Sequence, residues 1–578
     1  MTTVSTTADT AYERYRAGAA PVPRDALAWN VYGTGIERVG RDGRPERVPV
    51  DSPGPDQLLI RVDAVGLCFS DIKLIRLGGD HPKLYGRNLE ADPTRLGHEA
   101  SVTVMEVGER LAGRFHPGQR LAIQPDIYIG GRSAAYGYTT PGGLIEYHVI
   151  GPEVLAADDG AYVVPVDNRL GYAETALTEP WACVEAAYTQ RRRLSPLTGG
   201  RLLVVGRPDD ARTYDFGGAI AGSADIVIVG ASDAAAAAVR AASPSAKVAA
   251  AQSIDGLGPF DDVIMLGPRS AAEVSRAADA MAFRGLLNLV ADEPLDGPVD
   301  IDIGRLHYHY TAYVGTTGTN VAAAYGEVRN RAELRPGGVT VVVGAAGPMG
   351  QMHVERALAQ PDGPRLVLAV DLDAGRLAAA SEKLRPVASK QGRELVVETL
   401  GSEPDAIAVA VRRYAPNGAD DVVVTAPSAR AVVAASEAMA ADGMLVLFAG
   451  VPVGTRASLD LSNVFLHGAQ LTGTSGSRIA DQALVIDKTM AGELEPRRAL
   501  AAVGGIEAAQ DALQALMDGR FPGKIVIFPA LRDLPLTPLT ELATKEPEVG
   551  RGLEADGSWT TAAEAALFDR HLRESDRQ

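Results

Sequence analysis

Cysteine is almost missing from this chain: its 578 residues include two, Cys68 and Cys183. One disulfide at most can form, and a structural zinc cluster of four cysteines is excluded by count. Such sparing use suits a reducing compartment. Long apolar runs are missing too, none approaching the roughly 20 residues that span a bilayer. The N-terminal MTTVSTTADTAYERYRAGAAPVPRD has no apolar core behind a basic start. A cytoplasmic protein with no membrane partner is expected. Positive charge is in deficit, with 56 Lys and Arg against 73 Asp and Glu and a net charge of −17. That opposes a nucleic-acid partner, which needs clustered cations to displace counterions. Apolar material is plentiful, at 46% hydrophobic against 22% charged residues, enough for two to four domain cores.

Residues 56–66, 101–108 and 119–124 alternate or run apolar between Gly and Pro punctuation, which predicts short strands of a mostly β domain. From about residue 184 the texture becomes short Val, Ile and Leu runs separated by Ala-rich segments at helical spacing, as parallel βαβ units require. A repeat organises this region. DDVIMLGPRSAAEVSRAADAMAFRGLLNLVADEP from Asp261 matches DDVVVTAPSARAVVAASEAMAADGMLVLFAGVP from Asp420 with one gap. IDIGRLHYHYTAYVGTTGTN, ending at Asn320, then lies over LDLSNVFLHGAQLTGTSGSR, ending at Arg478, at an offset of 158 residues, and GGRLLVVG (199–206) lies over GGVTVVVG (337–344). The fold class expected is α/β: a β-rich catalytic domain at 1–183, two tandem doubly wound units at 184–320 and 321–478, the first degenerate, and a return to the catalytic domain with a C-terminal extension at 479–578.

The two copies differ where a dinucleotide would be held. In the second, strand VTVVVG runs into AAGPMGQMHVERALA, and 21 residues after Gly350 the strand RLVLAV ends on Asp371. Glycines let backbone N–H groups approach a pyrophosphate at a helix N-terminus, and a carboxylate at that distance accepts the ribose hydroxyls. Gly344, Gly347, Pro348, Met349, Gly350 and Asp371 are the candidate cofactor residues, with Arg478 at the end of the copy. The loop GAAGPMG is one residue longer than the strict fingerprint counted from Gly344. Asp371 favours NAD over NADP, because it repels a 2′-phosphate. In the first copy the strand ends in GRPDDARTYDFGG, with acidic groups where phosphate would sit, and Ala231 stands where Asp371 does. That copy is expected to bind no dinucleotide.

Cys68 in AVGLCFSDIK, His98 and Glu99 in RLGHEASV, and Glu179 in TEPWACVEAAY are of the ligand types a catalytic zinc takes from distant stretches of chain. Singly each has an ordinary reading: a small buried Cys, a surface His–Glu pair, a helix start at Glu-Pro. Their order changes the weighting. A G-x-C-x-[ST]-D element, then G-H-E, then E-P, then GAAGPMG and finally FPGKIVIFP near residue 521 resemble the zinc-containing medium-chain dehydrogenase/reductase family, in its polyol, threonine and sorbose phosphate dehydrogenase branch. The resemblance covers roughly residues 28–200 and 321–530. It implies a GroES-like β domain built from both ends of that stretch, one catalytic zinc on Cys68, His98 and Glu179 with Glu99 as alternate carboxylate, and no structural zinc. Ser70 would take the hydroxyl proton during hydride transfer between NAD and a secondary alcohol or ketone. Lys73 stands where many members carry a relay histidine.

A polyol, sugar or sugar phosphate is the expected substrate class. Lys73, His81, Lys83 and Arg87 offer charge for a phosphate or form a solvated basic loop, and Tyr136, Tyr138 and Trp181 line a pocket or fill core. Two other readings stand beside this one: a zinc-free quinone or enoyl reductase of the same plan, and a non-catalytic dinucleotide-binding scaffold prompted by the defective first copy. The resemblance implies a homodimer or homotetramer paired through edge strands near GMLVLFAG and LTGTSGS, unless the extra copy serves as an internal partner.

Overall fold

Leu58–Gly66 is buried along its whole length and forms β1, a middle strand of the largest sheet in this computed structural model. The structure describes residues 10–572. They fall into two units, one taking in the chain up to Glu185 and again from Gly476, the other Ala186–Ser475. In the first unit β2 (Glu99–Val107) runs antiparallel to β1 with Glu99 opposite Gly66. β3 (Arg120–Ile123) pairs with β2, β4 (Tyr147–Ile150) with β1, and β5 (Val163–Pro165) with β3. On the other side of β1 lies Lys524–Phe528 from the far end of the chain, Val526 opposite Gly66, so both ends of the sequence share one sheet. Helix α1 (Phe69–Leu77) follows β1, and α2 (Thr178–Ala186) closes the N-terminal part.

The C-terminal extension is anchored by a buried carboxylate. Glu564, fully buried, accepts hydrogen bonds from the Tyr12 hydroxyl at 2.8 Å and from the backbone N–H groups of Tyr172 and Ala173 at 2.7 and 2.9 Å. Burying a carboxylate is tolerable when several donors converge on it.

The second unit holds two six-stranded parallel sheets. The first contains β6 (Arg201–Val205), β7 (Asp225–Val229), β8 (Lys247–Ala251), β9 (Phe260–Leu266), β10 (Met281–Val290) and, beyond the separate strand β11 (Val299–Asp302), β12 (Ala312–Thr316). Its order is β8-β7-β6-β9-β10-β12. The second contains β13 (Val339–Val343), β14 (Leu366–Asp371), β15 (Glu394–Thr399), β16 (Ala419–Val424), β17 (Met439–Leu447) and, beyond β18 (Arg456–Leu459), β19 (Gln470–Gly473). Its order, β15-β14-β13-β16-β17-β19, is the same, with the strand order reversing beside the first strand of each copy.

The degeneracy expected of the first copy has a structural form: between β6 and β7 no α-helix forms, whereas the second copy carries α3 (Pro348–Ala359) between β13 and β14. Residues 206–224 cannot sustain a helix, because Pro208, Gly217 and Gly218 interrupt it and the acidic groups close local turns. Asp210 accepts from the Arg212 side chain at 2.9 Å and from the Tyr214 hydroxyl at 2.6 Å, and Arg212 reaches on to Asp292 at 2.8 Å. Without that helix the first copy has no helix N-terminus following β6 to offer a pyrophosphate. Among the described residues no helix is long and apolar enough to cross a membrane.

His353, on α3, is fully buried, with Nδ1 2.6 Å from the Tyr188 hydroxyl. Burial, with Arg356 adding, lowers its pKa to about 3. Its folded pKa lies below the unfolded value of about 6.5. The unfolded chain therefore gains a proton first, and stability falls as pH drops from about 6.5 toward 3. At pH 5 the native chain is expected to have lost about 2 kcal/mol through this group. Urea unfolding of the native chain and of His353→Gln at pH 7 and pH 5 checks this; equal pH dependence in both would contradict it.

Candidate metal centre and dinucleotide loop

Cys68 caps α1, and Asp71 in the first turn accepts the Cys68 N–H at 2.9 Å through one oxygen while its other lies 3.3 Å from His98 Nδ1. A single carboxylate thus holds both residues and engages Nδ1, leaving Nε2 as the nitrogen that can take a ligand. Burial works against a charged imidazole at His98, but Asp71 outweighs it and the pKa is raised well above the ordinary histidine value. The ligand atoms of Cys68, His98 and Glu99 all lie within 4.8 Å of one another.

Glu99 is fully buried. One of its oxygens pairs with Lys524 on the return strand, and the other has no hydrogen-bond partner among the described residues. Burial opposes the charge on Lys524, but Glu99 and Cys68 beside it hold the ammonium, up to about 12. Glu179, on α2, stands outside the group of three; its carboxylate accepts from Cys183 Sγ at 3.7 Å. Burial pushes its carboxyl up to about 7, Glu99 and Asp126 adding to the rise and His98 and Lys524 opposing it. A sulfur, a nitrogen and carboxylate oxygens at this spacing are a zinc-type donor set. A buried oxygen without a donor is the kind of atom that a cation satisfies.

Ser70 Oγ lies 3.7 Å from Cys68 Sγ. The Tyr138 ring lies 5.7 Å from that of His98 and 5.1 Å from that of His81, so it walls the centre. Burial, with Lys83 and Lys73 adding, lowers His81 to about 4. Of the four groups weighed for a phosphate, two are committed within the fold: Lys83 to Asp126 at 2.9 Å, and Arg87 to Asp92 and the carbonyls of Thr139 and Pro93. Tyr136 bonds His148 at 2.7 Å, and Trp181 is fully buried in core.

In the second unit the loop after β13 turns at Gly344, whose φ of +86° suits glycine. Gly347 caps α3, which starts Pro348-Met349, and a Cβ at Gly350 would lie 2.2 Å from the Gly344 carbonyl oxygen, so no side chain fits there. Asp371 ends β14; it accepts the Ala346 N–H at 2.9 Å and the Leu372 N–H at 2.7 Å, which ties the loop to the strand end. Arg478 falls in the other unit, where it starts the helix Ile479–Met490 and its N–H bonds Asp481.

Sequence reasoning missed Asp71, Asp126 and Lys524. Asp71 had a signal, since it stands in the same short element as Cys68. Lys524 had none, as its partner lies 425 residues away. Removing Lys524 strands a buried carboxylate. Lys524→Met is expected to destabilise metal-depleted protein by about 3–5 kcal/mol, with most of it recovered on adding Glu99→Gln. Denaturant unfolding of both variants checks this, and a loss in the single variant under about 1 kcal/mol would contradict the pairing.

Residues 54–159 match the alcohol dehydrogenase GroES-like domain. Mannitol-1-phosphate 5-dehydrogenase of Aliivibrio fischeri is 24% identical over 529 residues, 89% of this chain and 92% of its own. L-sorbose 1-phosphate reductase of Klebsiella pneumoniae is 27% identical over 312 residues, 48% of this chain and 74% of its own. Among solved structures, 2R,3R-butanediol dehydrogenase from Bacillus subtilis shares the fold, with a TM-score of 0.51 at 15% identity over 87% of this chain and 99% of that one. With residues 54–159 matching a GroES-like domain, a doubly wound dinucleotide-type sheet and similarity to sugar-phosphate dehydrogenases and reductases, the chain resembles the medium-chain dehydrogenase/reductase family of oxidoreductases.

Proposed function

We propose that this chain is a zinc-dependent, NAD-linked dehydrogenase acting on a secondary alcohol, or the matching ketone, of a polyol, sugar or sugar phosphate. The observation that carries the reading is the meeting of Cys68, His98 and Glu99 with one carboxylate oxygen buried and unsatisfied. Cys68 and His98 would be fixed zinc ligands, and Glu99 and Glu179 the carboxylates that complete the set. Zinc there supplies a Lewis acid that lets an alcohol lose its proton near neutral pH.

The chain's own residues do the rest. Asp71 fixes the His98 ring, and Lys524 pairs with Glu99 and holds its carboxylate in place. Tyr138 excludes water from one side of the centre. Ser70, one helical position beyond the cysteine's neighbour, accepts the hydroxyl proton and passes it outward. The loop from Gly344 to Gly350 receives the pyrophosphate, and Asp371 the ribose hydroxyls. The names of the two sugar-phosphate relatives support the substrate class. Because Lys83 and Arg87 are already committed, a phosphate would have to be met elsewhere than on those two.

Elemental analysis of purified protein is expected to give about one zinc per chain, lost in Cys68→Ala and in Glu179→Ala. Native protein without zinc would sink the reading in favour of zinc-free reduction. Asp371→Ser with a nearby arginine introduced is expected to narrow the NAD over NADP preference by about tenfold, since it exchanges repulsion for attraction at the 2′ position. Unchanged preference in steady-state assays with both cofactors would count against Asp371 as the ribose ligand.

A further inference from the structure

The two sheets of the second unit meet as the halves of a symmetric dimer do. β11 and β18 pair antiparallel with Asp300 opposite Ser458, and residue 458 is the counterpart of residue 300 at the 158-residue offset. A ladder in which a position faces its own counterpart is the mark of a two-fold contact. The glycines repeat it. A Cβ at Gly315 would lie 2.6 Å from the Phe465 Cβ, and at its counterpart Gly473 it would lie 2.7 Å from the Leu306 carbonyl oxygen. Each copy thus admits the other's helix against its last strand.

The polar contacts do not obey the symmetry. From the first copy, Tyr310 donates its hydroxyl to the Ser475 carbonyl at 2.7 Å, and His307 Nδ1 lies 3.3 Å from the Leu447 carbonyl. Their counterparts in the second copy are Gly468 and Phe465, which return neither bond. The carbonyls so held stand at the carboxyl end of β17 and just beyond that of β19. In a doubly wound sheet the ligand lies outside the carboxyl ends. With Asp371 on the adenosine half, the half-sheet β16-β17-β19 faces the nicotinamide half.

We infer that the first copy is a built-in surrogate partner whose Tyr310 and His307 are positioning residues for the nicotinamide end of the cofactor. This rests on the dinucleotide reading of the second copy. It gives the copy that lacks its own binding helix a task.

The test measures binding of NADH and of ADP-ribose, which lacks nicotinamide, to the full chain by calorimetry. Tyr310→Phe is expected to weaken NADH roughly three- to tenfold, as loss of one hydrogen bond implies, and to leave ADP-ribose unchanged. Arg456→Lys, which disturbs a different contact between the copies with Asp279 and Asp300, should alter neither ligand. Unchanged NADH binding in Tyr310→Phe, or equal loss of both ligands, would overturn the inference. If the native chain binds neither ligand, the dinucleotide reading itself fails and the surrogate role falls with it.

Discussion

A carboxylate taken wholly out of water must be met by positive charge, and Glu99 is the point at which this fold meets that demand. Its side chain is 0% exposed and that of Lys524 4%. Such a pair returns little net stability relative to apolar residues, because the desolvation of both ions offsets most of their attraction. What it fixes is position. Lys524 belongs to a strand supplied after the whole second unit has been threaded, so the first unit's sheet and the charge balance of this pair close together. Around that pair gather Cys68, Asp71, Asp126 and Glu179 against His98 and Lys83, an excess of acidic and sulfur groups that a divalent cation would balance.

Much of this was legible in the sequence, for physical reasons that differ from element to element. The repeat was plain because apolar strands and Ala-rich helices tolerate few alternatives once packed in parallel layers. The loop from Gly344 to Gly350 was legible because its first and last glycines stand where a Cβ would collide with neighbouring atoms. Cys68, His98, Glu99 and Glu179 stood out by residue type and order, and the structure draws the first three together. The role of Lys524 was not legible, since an isolated lysine in a closing strand reads as surface. The missing first crossover helix was half legible: the acidic, glycine-rich run after β6 announced a lost phosphate site, but not that the helix itself would be replaced by an Asp210–Arg212–Tyr214 cluster.

Duplication followed by loss in one copy usually leaves a remnant with structural work only. Here the remnant keeps the complete strand order and a self-complementary contact with its sibling, while its polar arms point toward the sibling's strand ends.

The central claim is a metal centre with a single sulfur ligand. X-ray absorption at the zinc edge of the purified protein tests it most directly. One sulfur at about 2.3 Å with nitrogen and oxygen neighbours at about 2.0–2.2 Å is the expected spectrum. No zinc edge, or a shell of nitrogen and oxygen alone, would contradict a centre built on Cys68.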